Sequence, residues 1–197
     1  MRILVVHAHP VAESFSTALF RTAVETLEAR GHEVRPVDLY AEGFDPVMRR
    51  EERLDYHTPG RNRVPVAEPL ADLKWAEGLI FVYPTWWYSH PAMLKGWIDR
   101  VWVPHETFTL PERNQPIRGL MTNIRLLGGI STYGAPWLWT RWVGDPGRRV
   151  IMRGLRAICA PRCRTFWLAL HRMDNLGPEQ RAAFVARVRA RLHSLPL

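Results

Sequence analysis

Apolar positions along this chain fall into two rhythms that alternate from one end to the other. Short, nearly continuous apolar runs at residues 3–6, 79–83, 124–131 and 164–170 have strand length, and a fifth at 33–39 carries a proline. Between them, apolar residues recur every third or fourth position, as on one face of a helix. Phe15, Leu19, Ala23, Val24 and Leu27 form the first such stripe, and Leu94, Trp97, Ile98 and Val101 a later one. Ala182, Val185, Val188 and Leu192 form the last. Ser14 or Ser16 is placed to cap the first helix, and Gly31 to close it. Residues 67–76 read as a helix, Pro84 as the end of the third strand, and Pro91 as the first turn of the helix that follows. Asp145 and Pro146 read as the N-cap and first turn of a helix reaching about residue 158, and Pro178 opens the last helix.

Strands that alternate with helices specify a parallel sheet covered on both faces, here an α/β three-layer sandwich formed by one domain over residues 1–197. The position of Pro36 orders the strands. A proline donates nothing to a ladder, so the second strand belongs at a sheet edge. The five-stranded order 2-1-3-4-5 puts it there, whereas the six-stranded doubly wound order buries it. Residues 41–63 are polar and aperiodic and read as an excursion above the sheet; 104–118 and 133–144 read as irregular loops.

Composition narrows the classes. Hydrophobic residues make up 47% and charged residues 23%, ordinary for a globular chain, and no apolar run has bilayer length. The first ten residues start basic and turn apolar, like a short signal core. His7 and His9 interrupt them and no small-residue cleavage site follows, so a buried first strand in a cytoplasmic protein is expected, without stable membrane insertion. The net charge of +8 comes from scattered arginines with short clusters only at 49–50 and 148–149, which argues against a nucleic-acid face and leaves room for an anionic cofactor. Cys159 and Cys163 match no metal or redox spacing and read as small buried residues. His7 and His9 lack carboxylate support, so no metal site is expected.

In an open parallel sheet, ligands bind beyond the carboxyl ends of the strands where the order reverses. The loops that reach that edge are 9–16, 84–90 and 132–137. The first ends in hydroxyls at a helix N-terminus, suited to a phosphate. The second offers Trp86, Trp87 and Tyr88 for a planar ring, and the third has Thr132 and Gly134, small enough for backbone donors to approach a ligand. Neither a GxGxxG nor a GxxxxGK[ST] fingerprint occurs, and no GxSxG elbow.

Three segments carry a resemblance. They are residues 3–9 with Ser14, Phe15 and Ser16; the stretch 81–102, FVYPTWWYSHPAMLKGWIDRVW; and Ser131 to Gly134. Together they resemble the flavodoxin-fold NAD(P)H:quinone oxidoreductases, relatives of DT-diaphorase, and the ancillary oxidoreductases of bacterial potassium-efflux systems. The resemblance implies a flavodoxin-like sandwich and a flavin, FMN or FAD. It implies that His9, Ser14, Phe15 and Ser16 hold the phosphate end, and that Pro84, Thr85, Trp86, Trp87 and Tyr88 lie along the ring. Thr132, Tyr133, Gly134 and Ala135 take the place of a T-T-G-G turn that bonds the pyrimidine end. It further implies a ping-pong hydride transfer from NAD(P)H through flavin N5 to a quinone-like acceptor. Tyr88 and Tyr133 are the catalytic candidates, and Phe108 and Trp137 further walls of the acceptor pocket. A homodimer is implied too. The alternative in another class is a flavin-binding regulatory subunit of a membrane potassium-efflux transporter. The sequence departs from the family at Tyr133 and Ala135, and Trp137, Trp139 and Trp142 stand where the animal enzymes carry a Tyr and a His beside the quinone.

Overall fold

A computed structural model describes residues 1–111 and 115–195; the central part of the loop expected over 104–118 lies outside them. Five parallel strands form one sheet in the order β2-β1-β3-β4-β5, as expected: β1 (Arg2–His7), β2 (Glu33–Asp38), β3 (Gly78–Pro84), β4 (Leu126–Thr132) and β5 (Arg164–Leu170). Pro36 sits opposite Val5 on the edge strand β2. The three central strands, β1, β3 and β4, bury side chains on both faces, because successive side chains point to opposite sides. Ile3, Val5, Ile80, Val82 and Ile130 meet helices α1 (Phe15–Ala29) and α7 (Pro178–His193). Leu4, Val6, Leu79, Phe81 and Leu127 meet α3 (Ala67–Trp75) and α4 (Ala92–Val101) on the other side. In β4, Gly128 and Gly129 make room for the rings of Phe166 and Trp167, which lie across them from β5.

Several boundaries differ from the pattern. Pro84 is the last residue of β3, opposite Thr132, where its missing N–H breaks no ladder. The fourth strand starts at Leu126, because the Ile124 N–H donates to the Met121 carbonyl (3.0 Å) and closes a turn instead. Within the excursion, α2 (Arg50–Asp55) has an inverted pattern: Leu54 faces solvent while Glu52 is buried, its carboxylate receiving Arg100 Nε at 2.8 and 3.0 Å. Residues expected to be irregular form α5 (Trp137–Val143), closed by Gly144 at φ 95°. Thr140 is its one buried residue, so no apolar stripe announces it. The helix after Asp145 does run to Ile158, but as α6 (Pro146–Arg149), a π turn (Val150–Gly154) and a 3₁₀ turn (Leu155–Ile158). On α7 the buried stripe is Phe184, Val188 and Leu192, with Ala182 exposed. Cys159 and Cys163 are buried free thiols.

Gly96 fixes how α4 meets the excursion. A Cβ at this position would lie 2.2 Å from the Pro46 carbonyl oxygen and 2.6 Å from Pro46 Cα. Alanine for glycine inside a helix ordinarily gains about 1 kcal/mol. Here the backbone of the excursion must move, so Gly96→Ala is expected to destabilise by roughly 1–3 kcal/mol. Urea unfolding checks the sign; a stabilised variant contradicts this packing.

Candidate functional site

All three loops meet above the carboxyl edge. In the first, Ser14 caps α1: its Oγ accepts the Thr17 N–H at 3.1 Å, and its carbonyl accepts the Ala18 N–H. The N–H groups of Phe15 and Ser16, as the first two helical residues, have no intrahelical acceptor. Ser16 is 4% exposed, and its Oγ is a buried hydroxyl with no partner among the described residues. Two open N–H groups and an orphaned hydroxyl at the positive end of a 15-residue helix form an anion cradle. Phe15 gives this cradle its backbone only, since its ring packs into the α1–α7 core. His9 stands at the edge, its Nδ1 accepting the Val11 N–H at 3.0 Å and its ring 6.0 Å from that of Trp86. His7 is structural, with Nδ1–H donating to the Val82 carbonyl at 2.9 Å, and burial lowers its pKa.

The second loop is a tight turn. Trp86 and Ser89 exchange both backbone hydrogen bonds, at 3.2 and 3.0 Å, around Trp87 (φ 48°) and Tyr88 (φ 61°). A two-residue hairpin of this hand needs two left-handed residues, usually Asn and Gly. Each non-glycine residue there costs about 1–2 kcal/mol. The surroundings hold the strained turn in place. Tyr88 accepts the Gly147 N–H on its carbonyl at 3.1 Å and Trp139 Nε1–H on its hydroxyl at 2.7 Å. Thr85 donates its N–H to the Thr132 carbonyl at 2.7 Å, and its hydroxyl lies 2.9 Å from that of Ser131. Trp87, 93% exposed, projects from the tip.

In the third loop the Tyr133 N–H goes to the Leu170 carbonyl at 2.8 Å, and the N–H groups of Gly134 and Ala135 find no acceptor among the described residues. Tyr133 is 2% exposed; its ring stacks on His171 at 4.6 Å, and its hydroxyl donates to Asp145 Oδ1 at 3.2 Å. Burial, and then the nearby Asp145 carboxylate, raise the Tyr133 pKa well above that of a free phenol, keeping the proton on this hydroxyl. Asp145 stands at the N-cap of α6 as expected, at φ 46° with its carbonyl accepting the Arg149 N–H, but its side chain makes no cap hydrogen bond and orients Tyr133 instead.

Between the second and third loops lies a cleft of about 300 Å³ bounded by Thr85, Trp87, Tyr88, Tyr133, Gly134 and Ala135. Six of the expected site residues are thus brought together, with Trp86 and His9 linking them towards the α1 cradle. Phe108 and Trp137 do not bound this cleft: Phe108 pairs with Pro104 and Gly119, and Trp137 faces a separate groove. The sequence pattern assigned Gly147 no role, marked Asp145 only as a helix cap and Trp139 only as a departure from the family; the structure shows all three bracing the cleft from α5 and the start of α6. Among the described residues no group of three His, Cys, Asp or Glu is placed to hold a metal ion.

Known proteins share this plan. The family model for the flavodoxin-like fold matches residues 1–195. The ribosyldihydronicotinamide dehydrogenase-like protein of Penicillium crustosum is 39% identical over 118 residues, 52% of this chain and 44% of that protein. NAD(P)H dehydrogenase (quinone) 1 of Rattus norvegicus is 33% identical over 150 residues, 68% of this chain and 54% of that protein. The chain thus spans about half the length of the curated relatives it matches. The solved structure of NAD(P)H:quinone oxidoreductase from Methanothermobacter marburgensis superposes with a TM-score of 0.78 at 25% identity, covering 98% of this chain and 96% of that one. A sheet in the order 2-1-3-4-5 and a family match spanning nearly every residue lead to one assignment: the chain belongs to the flavodoxin-like fold family.

Proposed function

We propose that this chain is a flavin-dependent NAD(P)H oxidoreductase that reduces a quinone-like acceptor, with residues 1–197 forming one flavin-binding domain. The observation that carries the reading is the anion cradle on α1 lying on the same sheet edge as a ring-sized cleft. The orphaned Ser16 hydroxyl and the open N–H groups of Phe15 and Ser16 fit the phosphate of FMN or the pyrophosphate of FAD. The 85–88 turn and the 133–135 turn fit the two sides of an isoalloxazine ring. The names of the relatives, two of them quinone-reducing enzymes, support the same class.

Bound there, a flavin supplies reversible hydride acceptance at N5. The chain's own part is positioning and electrostatics. Gly134 and Ala135, whose N–H groups find no acceptor among the described residues, would hold the pyrimidine end and favour negative charge there. Tyr88, held by Trp139, forms the edge over which NAD(P)H and then the acceptor approach in turn. Tyr133 keeps its proton and, with Asp145, holds the shape of the turn beneath. The tryptophan roof leaves Trp87, Leu138 and Trp142 mostly exposed, an apolar area that suits a second copy packing over the cleft. Among the described residues no helix is long and apolar enough to cross a membrane.

Visible spectroscopy under anaerobic conditions tests the proposal. The purified protein is expected to show oxidised-flavin bands that bleach when NAD(P)H is added and return when a quinone follows. Bands that persist after both NADH and NADPH contradict it.

A further inference from the structure

A second cavity, larger than the cleft, runs along the free edge of β5. It is a groove of about 1050 Å³ whose floor is residues 165–169 and whose wall is the stretch from α5 to the π turn, with Arg187 of α7 at the far side. Five arginines line it: Arg141, Arg148, Arg149, Arg153 and Arg187. None of the five is in an ion pair among the described residues. Asp145 is the one acid in the lining, and its carboxylate already accepts the Tyr133 hydroxyl. His171 adds no charge near neutral pH, because burial lowers its pKa. All five arginines are exposed, so water and salt moderate their mutual repulsion, and the four positive charges in excess leave a field that attracts an anion.

The shape and chemistry of the groove narrow the anion. Guanidinium forks match phosphate oxygens in pairs. Trp137 adds a half-exposed indole with the Arg141 guanidinium 5.1 Å from its ring, a platform for a heteroaromatic base. A peptide strand pairing with β5 is disfavoured, because Arg187 already donates to the Ala169 carbonyl at 2.8 Å on that strand. The groove also adjoins the cleft. Asp145 and His171 line the groove and contact Tyr133, which bounds the cleft, and His171 Nδ1 lies 3.4 Å from the carbonyl oxygen of Ala135. We infer that the groove binds the phosphorylated adenosine half of the reduced dinucleotide while the nicotinamide reaches the cleft, and that its surplus of arginines selects the 2′-phosphate of NADPH over NADH. This inference rests on the oxidoreductase reading of the cleft, and it adds a site and a choice of co-substrate that the reading lacks.

Isothermal titration calorimetry with adenosine 2′,5′-bisphosphate and adenosine 5′-monophosphate reads the groove directly, with no turnover and no flavin required. The bisphosphate is expected to bind at least about ten-fold more tightly than the monophosphate. The triple variant Arg148→Ala, Arg149→Ala, Arg153→Ala is expected to lose at least about ten-fold in bisphosphate affinity. The single variants Arg148→Ala and Arg153→Ala should lose less, and Arg21→Ala, an exposed arginine on α1, nothing. Equal affinity for the two nucleotides, or undiminished bisphosphate binding in a triple variant with wild-type circular dichroism, overturns the inference. A colourless protein that still binds the bisphosphate defeats the reading of the cleft alone. A flavin-loaded protein whose triple variant keeps its KM for NADPH defeats the groove alone.

Discussion

Replacing Ser16 with aspartate is expected to abolish flavin binding, at a cost of about 1–3 kcal/mol in stability. Ser16 is the second residue of α1, at the positive end of the helix, where the dipole returns about 0.3–1 kcal/mol to a carboxylate. The side chain is 4% exposed and its Oγ is buried, so a longer, charged group is crowded and desolvated there. The same carboxylate fills the cradle and repels a phosphate that needs those groups. FMN affinity should fall by at least about 100-fold, close to 3 kcal/mol. Ser16→Asn, similar in bulk but neutral, separates charge from crowding and should keep more of the affinity. Riboflavin, which lacks the phosphate, should lose far less than FMN in the aspartate variant. Quenching of flavin fluorescence reads the affinities, and thermal unfolding reads the fold. Unchanged FMN affinity in Ser16→Asp contradicts the placement of the phosphate.

The second large effect lies in stability against pH and centres on His90. This side chain is 7% exposed beneath the strained turn, its ring 5.2 Å from that of Tyr83, and neither ring nitrogen has a partner among the described residues. Burial, and then the charge on Lys95, push its pKa down to about 4. An unfolded histidine titrates near 6.5. Between these values the unfolded chain takes up a proton that the folded one refuses. Stability is therefore full above about pH 6.5 and declines as pH falls towards 4, by about 3 kcal/mol from this group. His7 and His171 are shifted in the same direction and add to the slope. His90→Phe should flatten the decline and make the protein more stable at pH 5 than the wild type. Urea unfolding at pH 7, 6 and 5 measures it, and parallel curves for wild type and variant contradict the account.

How much of this was legible beforehand follows from which signals are local. Pro36 placed β2 at the edge because a missing N–H is a property of one residue, and the edge position then fixed the strand order. The apolar runs of β1 and β3 showed strands buried on both sides, and the loops above them followed from topology. What stayed hidden depends on distant partners. Helix α2 buries Glu52 rather than Leu54 because Arg100, 48 residues away, supplies the counter-charge. Helix α5 exposes its tryptophans, so an apolar stripe cannot reveal it. Asp145 resembles a cap in sequence, and only the folded position of Tyr133 shows what its carboxylate does. The left-handed conformation of Trp87 and Tyr88 runs against the preference of both residues and persists through contacts from Gly147 and Trp139. Local rules fail most visibly at the candidate site, where strain and unpaired polar groups collect.

The most direct test of the central claim is a crystal structure of the protein grown with FMN. The account predicts the phosphate against the N–H groups of Phe15 and Ser16, and the ring between the 85–88 turn and Gly134–Ala135. Flavin density anywhere else on the molecule, or crystals that remain colourless at saturating FMN, would contradict it.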